Sequence, residues 1–303
     1  MTDISTPPRL QGLWIPLITP FKDGRLDEAS LVKLIRHLLE TPIDGLILAA
    51  TTGEGLTLDD DETERLVEIA ARTVAGRVPI HLGIAGSDTR ALCRRIAATS
   101  GWPVAAYLVP CPAYLRPSQE GLYRHFLAVA DASARPIVVY NIPYRTGVNL
   151  ATETLLRLIE ARPSIVGLKD CCTDPQQTLD LLRARPPGFA VLTGEDAQFH
   201  AALAQGADGG ILASAHADPA AFAKVRHDLL AGDNAAAQAG WRDLIDLVRL
   251  FFAEPNPAPL KHWLWRQGWI ASPELRLPMT GVTAALAGRL DRLMAARGTQ
   301  KAA

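Results

Sequence analysis

Lys169 directly follows an apolar run, which reads Ile165-Val166-Gly167-Leu168. An ammonium group at the end of a buried strand is desolvated, which lowers the pKa of the lysine and frees its neutral amine to attack a carbonyl carbon. A lysine in this position can equally extend into water or pair with the adjacent Asp170. Position alone therefore leaves two interpretations, a Schiff-base nucleophile and a solvated strand-end lysine.

Four further polar residues close or follow apolar runs. Tyr140 ends the fifth run, and its hydroxyl can both donate and accept a proton. Thr51 and Thr52 follow the second run, where hydroxyl groups could hold a carboxylate or relay a proton. Arg145 lies in the loop after the fifth run, and a guanidinium binds a carboxylate through two parallel hydrogen bonds. Each residue alone is commonplace, but together they indicate covalent chemistry on a carbonyl substrate that carries a carboxylate.

These residues can meet only if the elements that carry them share one edge. Eight short apolar runs recur along the chain, each followed by an amphipathic stretch of helical period. They are residues 13–19, 45–50, 79–83, 104–109, 137–141, 165–168, 190–193 and 209–213. Continuous apolar strands alternating with helices predict a parallel sheet covered on both faces. We therefore predict an α/β fold, a (β/α)8 TIM barrel with its active site at the carboxyl ends of the strands.

A doubly wound open sheet is the rival architecture. It normally carries a glycine-rich dinucleotide loop after the first strand, and here that position reads Thr19-Pro20-Phe21-Lys22. The closed barrel is therefore favoured.

The pattern changes beyond Asp233, where strand signals stop. Helical periodicity then covers 235–252, 259–267 and 284–296. We predict two parts, a catalytic barrel at residues 1–232 and a C-terminal helical region at residues 233–303 that packs on it.

Composition narrows the class of partner. The 31 basic and 32 acidic residues give a net charge of -1, and no Lys/Arg-rich run marks a nucleic-acid surface. No apolar stretch reaches the roughly 20 residues that cross a bilayer, and residues 1–9 are polar, so we predict a cytoplasmic protein without a membrane partner. The four cysteines form no metal-type cluster and the sequence shows no nucleotide-binding fingerprint, so neither a metal nor a cofactor is predicted. The expected partner is a small-molecule substrate.

Six motifs resemble those of the dihydrodipicolinate synthase / N-acetylneuraminate lyase family. They are Thr51-Thr52-Gly53-Glu54, the stretch 116–123, Tyr140-Asn141-Ile142-Pro143, Gly167-Leu168-Lys169-Asp170, Gly194-Glu195-Asp196 and Glu254-Pro255-Asn256-Pro257. The resemblance spans residues 19–280, nearly the whole chain. It implies that Lys169 condenses with pyruvate and that Tyr140 transfers protons. Thr51 would link Tyr140 to Tyr114, which the neighbouring subunit contributes in the family.

The resemblance also implies a substrate pocket and an assembly. Thr52, Gly194 and Ile211 match positions of the pyruvate pocket. An arginine at the position of Arg145 is similar to the pattern of the synthase branch, where this residue binds the carboxylate of aspartate semialdehyde. Lys261, which follows the motif containing Asn256, is likewise similar to the synthases. The family's usual assembly is a homotetramer, a dimer of dimers, so oligomerisation would be part of the mechanism.

Two alternatives stay open. The chain could be another pyruvate-dependent aldolase, lyase or dehydratase that acts on a sugar acid and keeps Lys169. It could also be an inactive barrel that binds pyruvate-like ligands. Ala50, Asp170 and Cys171-Cys172 depart from the family's usual residues beside the lysine, and these departures bear on the aldehyde more than on the Schiff-base step.

Overall fold

Eight parallel strands close into a barrel in the computed structural model, which describes residues 10–301 and their side chains to residue 298. The strands are β1 (Gly12–Pro16), β4 (Gly45–Leu48), β5 (Ile80–Gly83), β6 (Ala106–Pro110), β7 (Ile137–Asn141), β8 (Ile165–Asp170), β9 (Ala190–Thr193) and β10 (Gly209–Ile211). A short hairpin, β2 (Phe21–Lys22) and β3 (Arg25–Leu26), follows the first of them. The predicted polar stretch at residues 1–9 lies outside the described range.

Closure of the sheet confirms the predicted TIM barrel. β1 pairs with β4 on one side and with β10 on the other, so the sheet has no free edge and the doubly wound alternative is wrong. All eight predicted strands are present, and their ends differ from the prediction by a few residues. The first run, for example, leaves the sheet at Pro16 rather than at Thr19.

Helices follow the strands and cover the outside of the barrel, except for a one-turn helix after β7 that carries Arg145 at the barrel mouth. They are α1 (Glu28–Leu38), α2 (Asp60–Val74), α3 (Thr89–Ala98), α4 (Gln119–Asp131), α5 (Pro143–Thr146), α6 (Thr152–Ala161), α7 (Pro175–Ala184), α8 (Phe199–Ala204) and α9 (Pro219–Leu230). Most begin at an acidic or hydroxyl residue, whose side-chain oxygen bonds to an otherwise unpaired backbone N–H of the first turn. Asp59 and Glu62 form a complete capping box at the start of α2.

Side chains alternate along a strand, so every second residue points into the barrel. The register of β7 and β8 places Tyr140 opposite Lys169. Tyr140 belongs to a cluster of buried residues inside the barrel, whereas its neighbour Val139 packs between the strands and the helices. The register therefore directs Tyr140 and Lys169 to the same interior surface.

Three more helices follow the barrel, as predicted from periodicity: α10 (Asn234–Phe251), α11 (Ala258–Arg266) and α12 (Ala284–Lys301). Leu247 of α10, Leu264 of α11 and Leu290 of α12 belong to the same hydrophobic cluster as the barrel helices. The segment between α10 and α11 turns at a cis peptide bond, Asn256-Pro257, beside the carboxyl ends of the strands. Within residues 10–301, no helix has both the length and the apolar character that crossing a membrane requires.

Candidate functional site

Lys169 lies inside the barrel near the carboxyl ends of the strands. It is the fifth residue of β8 rather than the first residue after it, and only 4% of it is exposed. Asp170 does not pair with it, because the Asp170 carboxylate accepts from the Cys172 N–H at 3.0 Å and from the Thr178 hydroxyl at 2.8 Å. The solvated strand-end interpretation is therefore wrong.

Burial lowers the pKa of the Lys169 ammonium group, because the charged form loses its solvation inside the barrel. The nearby Cys171, Asp196 and Glu195 raise that pKa, and the positive charge of Arg145 lowers it. The desolvation effect is the largest, so the pKa falls and a larger fraction of the amine is in the neutral, nucleophilic form than for a lysine in water.

Tyr140 is the nearest aromatic neighbour of the lysine. Lys169 Nζ lies 4.3 Å from the centre of the Tyr140 ring, and the Cys171 thiol approaches the Tyr140 hydroxyl oxygen at 3.9 Å. Burial raises the pKa of Tyr140 well above its ordinary value, so the hydroxyl stays protonated. Gly194, after β9, leaves the room that this arrangement needs, because a Cβ there would collide with Lys169 Cε and with Cys171 Sγ.

One cavity at the barrel mouth collects seven of the eight residues predicted for the site: Lys169, Tyr140, Thr51, Thr52, Arg145, Gly194 and Ile211. They come from the ends of five strands, since the threonines follow β4, Arg145 follows β7 and Ile211 ends β10. A larger groove of about 380 Å³ also has Thr51, Tyr140, Arg145 and Asn256 in its walls and extends outwards along Leu56 and Ala113.

Tyr114 is the predicted residue that the single chain does not bring to the cavity. It follows β6, is 92% exposed and has a φ of 73°, in the left-handed region that non-glycine residues rarely adopt. Its backbone N–H donates to the Thr146 carbonyl oxygen at 3.1 Å, which fixes the loop while the side chain extends outwards.

Several cavity residues had no role in the sequence-based prediction. Asp196 was named only as part of the motif Gly194-Glu195-Asp196, without a role of its own, yet it is buried in the cavity wall, where burial raises its pKa to about 6. The Asp196 carboxylate accepts from the Ser214 N–H at 2.6 Å. Tyr144 donates from its hydroxyl to a carboxylate oxygen of Glu195 at 2.8 Å, across the mouth of the cavity. The motif Gly194-Glu195-Asp196 was the available signal for two of these residues.

The C-terminal region also reaches the site. Asn256 lines the cavity and donates from Nδ2 to Thr52 Oγ1 at 3.0 Å. Lys261 forms a fully buried ion pair with Glu54, two residues after Thr52, and also donates to the Glu274 carbonyl oxygen at 2.8 Å. The loop at 51–55 is thus held by residues that lie about 200 positions later in the chain.

Comparison with known proteins gives a consistent result. The model of the "Dihydrodipicolinate synthetase family" matches residues 9–296. A protein named 4-hydroxy-tetrahydrodipicolinate synthase 2 from Clostridium acetobutylicum is 41% identical over 286 residues, which cover 94% of this chain and 100% of that protein. A 4-hydroxy-tetrahydrodipicolinate synthase from Streptococcus mutans is 39% identical over 281 residues, 91% of this chain and 94% of the relative.

Solved structures agree with the sequence matches. The crystal structure of dihydrodipicolinate synthase from Aquifex aeolicus superposes with a TM-score of 0.92 at 31% identity, covering 95% of this chain and 98% of that one. The 4-hydroxy-tetrahydrodipicolinate synthase from Methylacidiphilum fumariolicum SolV superposes with a TM-score of 0.91 at 33% identity and covers 95% of both chains.

Proposed function

Because this chain belongs to the dihydrodipicolinate synthetase family, we propose that the cavity around Lys169 is its active site. The activity is that of a 4-hydroxy-tetrahydrodipicolinate synthase, which condenses pyruvate with aspartate semialdehyde. The observation that carries the assignment of the site is the buried Lys169 against Tyr140, in a cavity that Arg145 also lines. The names of the relatives favour the synthase over the sugar-acid alternative.

Lys169 supplies the nucleophile. Its neutral amine attacks the keto carbon of pyruvate, and the resulting carbinolamine loses water to give an imine. Loss of a methyl proton then gives an enamine, whose carbon attacks the aldehyde carbon of the semialdehyde. Cyclisation through the amino group of the second substrate expels the lysine, which returns to its free form. The lowered pKa of Lys169 supports the first step, because more of the amine is unprotonated at neutral pH.

Tyr140 moves the protons that these steps require. Its phenol is protonated and its ring lies against the lysine, so it can donate to the departing hydroxide of the carbinolamine and recover the proton later. Thr51, in the same cavity wall, provides a hydroxyl that can pass the proton towards the outside.

Two groups would bind the carboxylates. Thr52 would donate from its hydroxyl to the carboxylate of pyruvate, with Gly194 and Ile211 shaping the pocket around the methyl group. Arg145 would pair with the carboxylate of the semialdehyde, because it is exposed and lines the cavity, and a guanidinium can bind a carboxylate through two parallel hydrogen bonds.

A second copy of the chain would complete the proton relay. Tyr114 is exposed and held in an uncommon backbone conformation, and such conformations persist where function requires them. We therefore assign Tyr114 to the active site of a neighbouring subunit, within a homotetramer built as a dimer of dimers. Leu56 and Leu115, which are 81% and 63% exposed, add apolar surface beside it.

Proton NMR of pyruvate, aspartate semialdehyde and enzyme tests this function, with Lys169→Ala as the control. With the native enzyme, but not with Lys169→Ala, we expect both substrates to disappear and a cyclic product to form. Solvent exchange of the pyruvate methyl protons without consumption of the semialdehyde would move the activity to another aldehyde. Borohydride reduction with pyruvate should add one covalent adduct at Lys169 by mass spectrometry; its absence would exclude the Schiff base.

A further inference from the structure

A hydrogen bond from the C-terminal region reaches the proposed carboxylate-binding threonine. Asn256, in the turn between α10 and α11, donates from Nδ2 to Thr52 Oγ1 at 3.0 Å. Asn256 is 8% exposed and Thr52 is 4% exposed, and both line the cavity. A hydrogen bond between two neutral groups that are shielded from water is directional, and losing it leaves a buried polar group without a partner.

The direction of this bond fixes the direction of the threonine hydroxyl. A hydroxyl has one proton to donate and lone pairs to accept with, whereas the amide nitrogen of asparagine only donates. When Thr52 accepts from Asn256, its own proton is left for another acceptor. We propose that Asn256 is a positioning residue that keeps the Thr52 hydroxyl aimed as a donor at the carboxylate of pyruvate. This inference rests on the proposed function.

Both flanks of Asn256 are anchored, so its amide cannot turn away easily. On one side the Glu254 carboxylate accepts from the Thr283 N–H at 2.9 Å. On the other side the Lys261 N–H donates to the Pro257 carbonyl oxygen at 2.9 Å, and the Lys261 side chain is paired with Glu54. The segment is therefore held by the residue that precedes α12 and by the threonine loop at the same time, which limits the movement of the Asn256 amide.

Pyruvate saturation of the native enzyme and of Asn256→Ala tests the role. Without the amide donor the Thr52 hydroxyl can rotate, so we expect the pyruvate concentration for half-maximal borohydride trapping, and the KM for pyruvate, to rise about tenfold. The kcat at saturating pyruvate should change less than threefold, because Lys169 and Tyr140 are untouched. A purely structural bond would instead lower the thermal midpoint and leave the KM unchanged.

A double-mutant cycle isolates the partner. Thr52→Val removes the hydroxyl at nearly the same volume, and Asn256→Ala should add no further increase in KM in that background. Thr99→Val serves as the control, because it removes a buried hydrogen bond of similar kind, to the Tyr107 hydroxyl at 3.0 Å, without touching the cavity. If the KM increase of the double variant equals the product of the increases in the two single variants, the two residues act independently and the inference is overturned.

Asn256→Asp keeps the test decisive if the alanine variant does not fold. A carboxylate accepts the Thr52 proton and adds negative charge beside the substrate, so we expect a KM increase larger than tenfold. An unchanged KM in this variant refutes the positioning role while the proposed function stands. If borohydride traps no pyruvate on the native enzyme, both the positioning role of Asn256 and the proposed function are refuted.

Discussion

Alternation along β8 decides which groups reach the reacting lysine. Lys169 points into the barrel, and Cys171, two residues later, packs on the same side with its thiol towards Tyr140. Gly194 faces this pair from the end of β9. The space around the nucleophile is therefore set by two small residues, Cys171 and Gly194, which directly follow the neighbouring strands β8 and β9.

Gly194→Ala tests that spatial limit. The new Cβ collides with Lys169 Cε and Cys171 Sγ, so we expect the lysine to be displaced and the rate of pyruvate trapping to fall at least tenfold. Gly101→Ala is the control, because a Cβ at that position meets nothing within 4 Å. Equal rates in both variants would show that Lys169 has more freedom than the packing indicates.

Opposite charges near Lys169 predict opposite shifts of the pH profile of trapping. Arg145 lowers the pKa of the lysine and Asp196 raises it. Arg145→Gln should therefore raise the pKa and move the profile towards alkaline pH, because a higher pH is then needed to deprotonate the amine. Asp196→Asn should move it towards acid. Measuring trapping rates from pH 6 to 10 checks both signs, and shifts in one direction for both variants would contradict the charge argument.

The local sequence predicts much of the architecture, but it does not predict contacts between residues that lie far apart in the chain. Apolar runs predict all eight barrel strands because each is buried on both faces, and side-chain oxygens such as Asp59 mark helix starts. The hairpin of β2 and β3 has two residues per strand, too few to show a period. Asn256 joins Thr52 across 204 positions, and no local pattern encodes such a pairing.

The domain boundary and the residues of the site were predictable from the sequence to different degrees. The predicted boundary between residues 232 and 233 falls in the turn between α9 and α10, and we retain the C-terminal helical region as a proposal. Lys169, Tyr140, Thr51 and Thr52 could be grouped from the sequence because they close strands of one barrel. The partner of Lys261 could not, because Glu54 enters the core only through the fold of the loop.

The buried pair of Glu54 and Lys261 predicts a large loss of stability when one charge is removed. Lys261→Met leaves the Glu54 carboxylate buried without its ammonium partner, so we expect the free energy of unfolding to fall by about 3–5 kcal/mol. Urea unfolding measures it. Glu54→Gln combined with Lys261→Met should lose less than the two single changes together, since no lone charge remains.

A surface pair provides the matched control. Arg124 contacts Glu120 at 2.8 Å with both side chains largely exposed, so Arg124→Met should cost below about 1 kcal/mol. A similar cost for Arg124→Met and Lys261→Met would show that the buried pair contributes no more than a surface one.

At the level of the whole molecule, the role proposed for Tyr114 requires a second subunit. If Tyr114 serves a neighbouring subunit, we expect Tyr114→Phe to lower kcat with little change in thermal stability, because phenylalanine keeps the ring and removes only the hydroxyl. Mixing Tyr114→Phe with the inactive Lys169→Ala, after dissociation and reassembly, should raise the activity above that of either variant. Hybrid subunit pairs then combine an intact Lys169 with an intact Tyr114, whereas a relay within one chain predicts no gain.

Three buried histidines predict a loss of stability in mild acid. Burial lowers the pKa of His81 to about 3 and those of His125 and His216 to about 4, against an ordinary 6.5. Below pH 6.5 the unfolded chain takes up protons that the folded chain refuses, so the free energy of unfolding falls until about pH 4. For His216 alone this corresponds to about 3 kcal/mol.

Asp196 acts in the opposite sense, because its pKa of about 6 lies above the ordinary value and acid therefore favours its folded form. Burial also raises the pKa of Asp170, so two carboxyl groups oppose three histidines and the net change is a loss. Thermal midpoints at pH 7.5 and pH 5 check the sign. An NMR titration in which all seven histidines change charge near pH 6.5 would contradict the predicted loss of stability.

The cytoplasmic location of the protein remains a prediction from its composition.

The late position of Asn256 and Lys261 has a consequence for how the enzyme is made. Lys169 and Tyr140 leave the ribosome long before the residues that hold Thr52 and Glu54 in place. A chain released early, from a damaged messenger RNA, carries the nucleophile without the support for its pocket. Synthesis must therefore pass Lys261 before the pocket has its full support, so we expect copies that end before that residue to bind pyruvate poorly.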